Sequence, residues 1–151
     1  MRLATWNVNG LRARLDFVQH WLRARQPDVV GLQELKLTDE QFPHDRLRAL
    51  GYEVAHHGTN QWNGVAILSR VGLADVQVGF DGDPGWGEPL AAEARSIGAT
   101  CAGIRLWSVY VPNGRALDDP HMVYKLDWLA RLRERASEWA ADGTPVALGG
   151  D

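Results

Sequence analysis

Asp28-Val29-Val30-Gly31-Leu32-Gln33-Glu34 follows a proline, runs as a short apolar segment and stops on a carboxylate. An apolar run of this length beside turn signals reads as a buried strand. A strand carries its last side chains out of the core to the rim of the sheet, where open α/β sheets place their ligands. Glu34 at that rim is a fixed, acceptor-only group of the kind a hard divalent cation takes. A single charged residue at a strand end is commonplace, so the reading gains force only from what the flanking segments supply.

Working outward, Arg2 to Val8 alternates loosely and contains Leu3, Ala4, Trp6 and Val8, a first strand. It stops at Asn7-Val8-Asn9-Gly10, a polar turn closed by glycine. Leu11, Leu15, Val18 and Leu22 then recur at helical spacing, and Gln26-Pro27 ends the helix because proline disfavours helix in the residue before it. The segment is therefore strand, helix, strand, which implies neighbouring strands and a right-handed crossover if they are parallel.

Downstream, a short helix is expected around Pro43 to Leu47, and strands at Tyr52–His57, Gly64–Ser69 and Val71–Phe80. The turn formers of Asp81 to Gly87 read as loop. Arg95–Ala102 and Ile104–Val111 read as a hairpin about Ala102-Gly103, the second strand leading into Tyr110-Val111-Pro112-Asn113-Gly114. The longest helix follows, with an expected apolar stripe of Met122, Leu126, Leu129, Leu132, Ala136 and Trp139/Ala140 and a stop at Gly143. Thr144 to Leu148 is the last strand, before Gly149-Gly150-Asp151.

The 151 residues are enough for one domain with a real core, and 23% charged and 45% hydrophobic residues are globular values. No apolar run approaches a membrane span and no secretory leader precedes the first strand, so no membrane association is expected. Cys101 is the only cysteine, which excludes an internal disulfide and points to an intracellular, cytoplasmic setting. A net charge of −3 argues against a nonspecific polycation while leaving room for a local arginine-rich face.

Polar groups stand at four strand ends: Asn7, Glu34, Tyr110 with Asn113, and Asp151. Carboxylates and amides without a His or Cys cluster suit Mg2+ or Mn2+ rather than zinc. Such an ion keeps waters and takes phosphate oxygens as further ligands. Tyr110 and Asn113 are placed to donate to phosphate oxygens, and Asp151 to orient or deprotonate water.

Four motifs carry a resemblance to a known family: Thr5-Trp6-Asn7-Val8-Asn9-Gly10-Leu11-Arg12-Ala13, Leu32-Gln33-Glu34-Leu35-Lys36, Asn63-Gly64-Val65-Ala66-Ile67-Leu68-Ser69-Arg70 and Val109-Tyr110-Val111-Pro112-Asn113-Gly114. Gly149-Gly150-Asp151 is similar to the start of a fifth. In this order they resemble the exonuclease III branch of the endonuclease/exonuclease/phosphatase superfamily, the metal-dependent abasic-site (AP) endonucleases. The resemblance implies a four-layer α-β-β-α sandwich. It makes Glu34 the central metal ligand, with Asn7 beside it and Asp151 as acid/base and second carboxylate. Tyr110 becomes the phenol near the scissile phosphate and Asn113 a phosphate or water contact. Asn9 and Lys36 support the metal shell, and Trp62 and Arg115 contact substrate. The implied cofactor is Mg2+, with Mn2+ as substitute. The implied partner is double-stranded DNA with abasic sites or 3′ ends.

By the same resemblance residues 1–151 are expected to be the N-terminal part of one such domain, mainly its first half. The family's C-terminal Asp-His pair is absent from this stretch. One sheet is then expected to leave an inner face for a missing half or partner to cover. Two rival readings stay open: a superfamily phosphatase or phosphodiesterase for lipid or inositol phosphates, and a fragment that binds DNA or a partner without cutting. Arg12, Arg14, Lys36, Arg70 and Arg115 are candidate phosphate contacts. His56 and His57 are expected to be structural or at the surface, His20 and His121 solvated, Asp81 and Asp83 a solvated turn, and Cys101 an inert buried thiol.

Overall fold

A computed structural model describes residues 1–151. In chain order the elements are β1 (Leu3–Asn7), α1 (Leu11–Arg25), β2 (Val29–Gln33), a 3-10 turn (Asp39–Gln41), α2 (His44–Arg48), β3 (Glu53–His57), β4 (Val65–Ser69) and β5 (Ala74–Val78). They continue as β6 (Gly85–Trp86), β7 (Ala91–Ala92), β8 (Ser96–Cys101), β9 (Ile104–Val109), α3 (Pro120–Ala141) and β10 (Val146–Gly150). Two four-stranded sheets result, ordered β1-β2-β4-β3 and β10-β9-β8-β5. β1 and β2 are parallel, as are β9 and β10.

The layers are α-β-β-α. Leu11, Leu15, Val18 and Leu22 of α1 close the outer face of the first sheet over Val30, Leu32, Ala66 and Leu68. Between the sheets lie Val29, Ala55, Val65, Ile67, Ile97, Ala99, Cys101 and Leu106. On the far side α3 covers Phe80, Trp107 and Val109. Alternation within each strand sends one set of side chains outward to a helix and the other to the facing sheet.

The expectation of a single sheet with an uncovered inner face is wrong. After β4 the chain turns at Gly72, crosses to the second layer and builds a four-stranded sheet there, so the two inner faces cover each other. What stays open is the β1/β10 edge, where a cavity of about 170 Å3 runs between the sheets beside Leu3, Val29, Leu106 and Leu148.

The α3 stripe is also rotated from its expected position. Asp119 caps the helix by accepting from the His121 N–H at 2.8 Å, and Pro120 occupies the first turn. The buried residues are His121, Tyr124, Trp128 and Leu132, whereas Leu126 is 59% exposed. Flat rings fill the layer over Phe80 and Trp107 better than branched aliphatics: Phe80 meets Trp128 edge-on, with centroids 5.0 Å apart. Gly98 opposite Trp107 allows this layer, because a Cβ there would sit 2.7 Å from the Trp107 ring. Two smaller departures accompany it. β5 is a bulged edge strand shorter than Val71–Phe80, and the expected 81–87 loop contains β6, which pairs with β7.

Candidate functional site

Parallel pairing within each layer brings the C-terminal ends of β1, β2, β9 and β10 to one rim. Gln33, 1% exposed, turns inward while its neighbour Glu34 turns out. The Gln33 amide donates to Thr5 Oγ1 at 3.0 Å and to Ser108 Oγ at 2.9 Å, and Ser108 Oγ donates to the Leu32 carbonyl at 3.0 Å. This buried bridge ties β2, which leads into Glu34, to β9, which leads into Tyr110. Gly31 permits the approach, since a Cβ there would meet Ser108 Oγ at 3.1 Å.

Above the bridge runs one continuous polar chain. Asn7 Nδ2 donates to Asp151 Oδ2 at 2.6 Å, and Asn7 Oδ1 accepts the Asn9 N–H at 2.9 Å. Asn9 Oδ1 accepts from Lys36 Nζ at 2.6 Å, and Lys36 Nζ lies 3.5 Å from Glu34 Oε2. Tyr110 O–H donates to Glu34 Oε1 at 2.5 Å. The structure thus joins Asn7, Asn9, Glu34, Lys36, Tyr110 and Asp151.

Three candidates stay outside that chain. Asn113 is exposed, and its Oδ1 is turned back to accept the Arg115 N–H at 2.6 Å. The Arg115 guanidinium sits 5.9 Å over Trp86. Trp62 is 69% exposed on the 58–63 loop, where its N–H bonds Asn60 Oδ1 at 2.9 Å. Among the basic candidates, Arg70 is at the opposite end of the molecule, donating to Gln26 O at 3.3 Å, so it cannot serve this rim. Arg14 is engaged with the Asn9 carbonyl.

Backbone conformation marks the site independently. Asn9, Glu34, Lys36 and Arg115 have φ of 44°, 59°, 57° and 61°, four of the seven non-glycine residues in left-handed backbone. Such conformations cost about 1–3 kcal/mol each and persist where surrounding structure over-determines them, commonly at functional sites.

The Tyr110 hydroxyl is pushed up to about 12, first by burial and then by its bond to Glu34 and that carboxylate's charge. It is therefore a neutral phenol at physiological pH, a donor and not a nucleophile. No group of three or more His, Cys, Asp or Glu side chains is placed to bind a metal. The available donors are the Glu34 and Asp151 carboxylates and the Asn7 amide. An all-oxygen set with so few protein ligands fits a hard cation that retains water, Mg2+ or Mn2+, and does not fit zinc.

Around Tyr110 and Asn113 stand four side chains that were not candidate site residues: Glu93, Arg95, Asn63 and His121. His121 is 4% exposed rather than solvated. Its Nδ1 meets the Asn113 carbonyl, an acceptor, so Nδ1 carries the hydrogen. The only signal for it in the sequence was its place beside a proline at a helix start. Asp83 is likewise half-buried instead of solvated, and burial pushes its carboxyl up to about 6 despite the opposing pull of Trp128 and Arg95.

Unfolded, the Asp83 carboxyl titrates at 3.8; folded, at about 6. Folding therefore favours its protonated form. That stabilising contribution is complete below 3.8 and is lost as pH rises through about 6. After allowance for solvent screening it amounts to about 1–2 kcal/mol. Asp83→Asn should raise the urea midpoint at pH 7 and flatten its change between pH 4 and 7. An unchanged slope would rule out Asp83 as its source.

Comparison with known proteins agrees with this geometry. The model of the endonuclease/exonuclease/phosphatase family matches residues 4–151. Exodeoxyribonuclease III of Haemophilus influenzae is 42% identical over 83 residues, 55% of this chain and 31% of that protein. An exodeoxyribonuclease of Bacillus subtilis is 30% identical over 157 residues, covering 100% of this chain and 58% of the relative. The structure of a Neisseria 3′ phosphatase, NExo, bound to a product DNA hairpin superimposes with a TM-score of 0.92 at 38% identity, over 100% of this chain and 57% of that one. An Archaeoglobus fulgidus AP endonuclease gives 0.90 at 36%, over 100% and 56%. The chain thus spans little more than half the length of such relatives, matching their N-terminal part. With its four layers, its rim of strand-end carboxylates and a family match over nearly every residue, the chain belongs to the endonuclease/exonuclease/phosphatase family and is similar to that family's exonuclease III and AP endonuclease members.

Proposed function

We propose that this chain supplies the Glu34–Tyr110–Asp151 centre of a Mg2+-dependent DNA-repair nuclease. It would hydrolyse phosphodiesters beside abasic sites and at 3′ ends of double-stranded DNA, in the cytoplasm. The observation that carries the reading is the unbroken polar chain Asp151–Asn7–Asn9–Lys36–Glu34–Tyr110 at one rim.

Glu34, with Asn7 and Asp151, would hold the cation, and Mg2+ bound there would supply Lewis-acid stabilisation of charge on the phosphate. The Asn7 amide occupies Asp151 Oδ2 and leaves Oδ1 to orient a water and take its proton. Tyr110, held neutral, donates its hydroxyl hydrogen toward a phosphate oxygen as charge builds there. The exposed Trp62 ring contacts the duplex, and Lys36, Arg115, Asn9 and Asn113 contact phosphates or order the water around them.

The test is nicking of an abasic duplex, trimming of a 3′-recessed duplex, and phosphate release from a phosphoinositide, each with Mg2+ and with a chelator. The proposal expects chelator-sensitive action on DNA alone, with affinity falling steeply as salt rises. Activity on phosphoinositide without action on DNA would replace it with the lipid-phosphatase reading. DNA binding without cleavage would leave a binding fragment.

A further inference from the structure

Arg95 immediately precedes β8, beside Tyr110, and is 7% exposed. Its main-chain carbonyl accepts the Tyr110 N–H at 2.7 Å, and its guanidinium donates to the Tyr110 carbonyl at 3.3 Å. One residue therefore holds both polar groups of the Tyr110 backbone. The same guanidinium carbon lies 5.0 Å from the Tyr110 ring centroid and 5.9 Å from that of Tyr124. Arg95 Nε donates to Glu93 Oε1 at 3.0 Å, and Glu93 Oε2 accepts from Asn63 Nδ2 at 3.1 Å. Asn63 is 1% exposed, and its carbonyl takes the Lys36 N–H at 2.8 Å. A closed circuit results, from Glu34 and Lys36 through Asn63, Glu93 and Arg95 to Tyr110, whose hydroxyl returns to Glu34.

We propose that Arg95, oriented by Glu93, is a positioning residue that sets the Tyr110 phenol against Glu34 and locks it to the Asn63 loop that carries Trp62. The inference rests on the nuclease reading of the site. A cation buried with one carboxylate partner is weak support for stability, because desolvation offsets the attraction. What it supplies is direction: a planar fork serves the Glu93 carboxylate, the Tyr110 carbonyl and two ring faces together, and an ammonium cannot serve all of them. Arg95 touches none of the groups assigned to metal or water, so it acts through Tyr110.

The test uses Arg95→Met and Arg95→Lys, with ring-carbon NMR of the protein labelled at its three tyrosines, Tyr110 being assigned from Tyr110→Phe. The Tyr110 resonance should move in Arg95→Met and partly return in Arg95→Lys, while that of Tyr52 stays. On abasic duplex, kcat should fall about 100-fold in Arg95→Met with KM nearly unchanged, the cost of a displacement near 1 Å. If Arg95→Met does not fold, Arg95→Lys alone decides by the shift of the same resonance. A Tyr110 resonance at its wild-type position in a folded variant, or a loss residing wholly in KM, overturns the proposal. If wild type proves inactive while the resonance still moves, positioning stands and the nuclease reading alone fails.

Discussion

Glu34→Ala should cost about a thousandfold in Mg2+-supported cleavage of an abasic duplex, since a lost Lewis-acid contribution is worth several kcal/mol. Three consequences of the substitution point the same way. The carboxylate with the most central place among the oxygen donors disappears. Tyr110 loses the acceptor of its 2.5 Å bond, and Lys36 loses its carboxylate partner at 3.5 Å. An uncompensated Lys36 then leaves positive charge at the proposed cation site. Glu34→Gln separates these contributions, because an amide oxygen still accepts from the phenol while the charge is gone. It should bind Mn2+ more weakly than wild type, yet hold Tyr110 better than the alanine variant does. Mn2+ binding followed by electron paramagnetic resonance is the direct readout. Wild-type affinity in Glu34→Ala would remove Glu34 from the metal site even if cleavage fell.

Asp151→Asn should lower kcat by about 10²–10⁴-fold, the range for loss of a general base, and leave KM within a few-fold. The variant is nearly isosteric, so what changes is chemistry: an amide cannot accept the proton of the attacking water. Its orientation changes as well. The Asn7 amide now donates to Asp151 Oδ2 at 2.6 Å, and Asn7 Oδ1 already serves the Asn9 N–H. The new side chain must offer Asn7 its oxygen and aim its NH2 where water would be activated. Cleavage of saturating abasic duplex is the readout, and a kcat that stays within a few-fold of wild type would assign the proton acceptor elsewhere.

Much of this site was legible in the residues because each strand announces its end. Asn7, Glu34, Tyr110 and Asp151 each close or immediately follow an apolar run, and the structure puts all four at one rim. Asn113, Trp62 and Arg115 share motif loops with them, but their side chains bond locally or face solvent. Adjacency to a motif places a residue near a rim without aiming its side chain. The rotated face of α3 has a related cause: the aliphatic stripe was readable by period, whereas the preference for His121, Tyr124 and Trp128 depends on the flat aromatic layer of the sheet beneath.

Strand, helix and strand at the start of the chain, the oxygen-only character of the candidate ligands and the motif order are properties of local sequence, because apolar period and residue chemistry need no partner to be read. That the strands divide into two four-stranded sheets was decided only by tertiary pairing. So were the Gln33–Ser108 bridge, the left-handed backbone at Asn9, Glu34 and Lys36, and the Arg95 support for Tyr110. Each joins residues separated in the chain or is held by contacts of that kind. A side chain's partner across a sheet is set by register and packing, and neither is encoded in the spacing of residues along one strand.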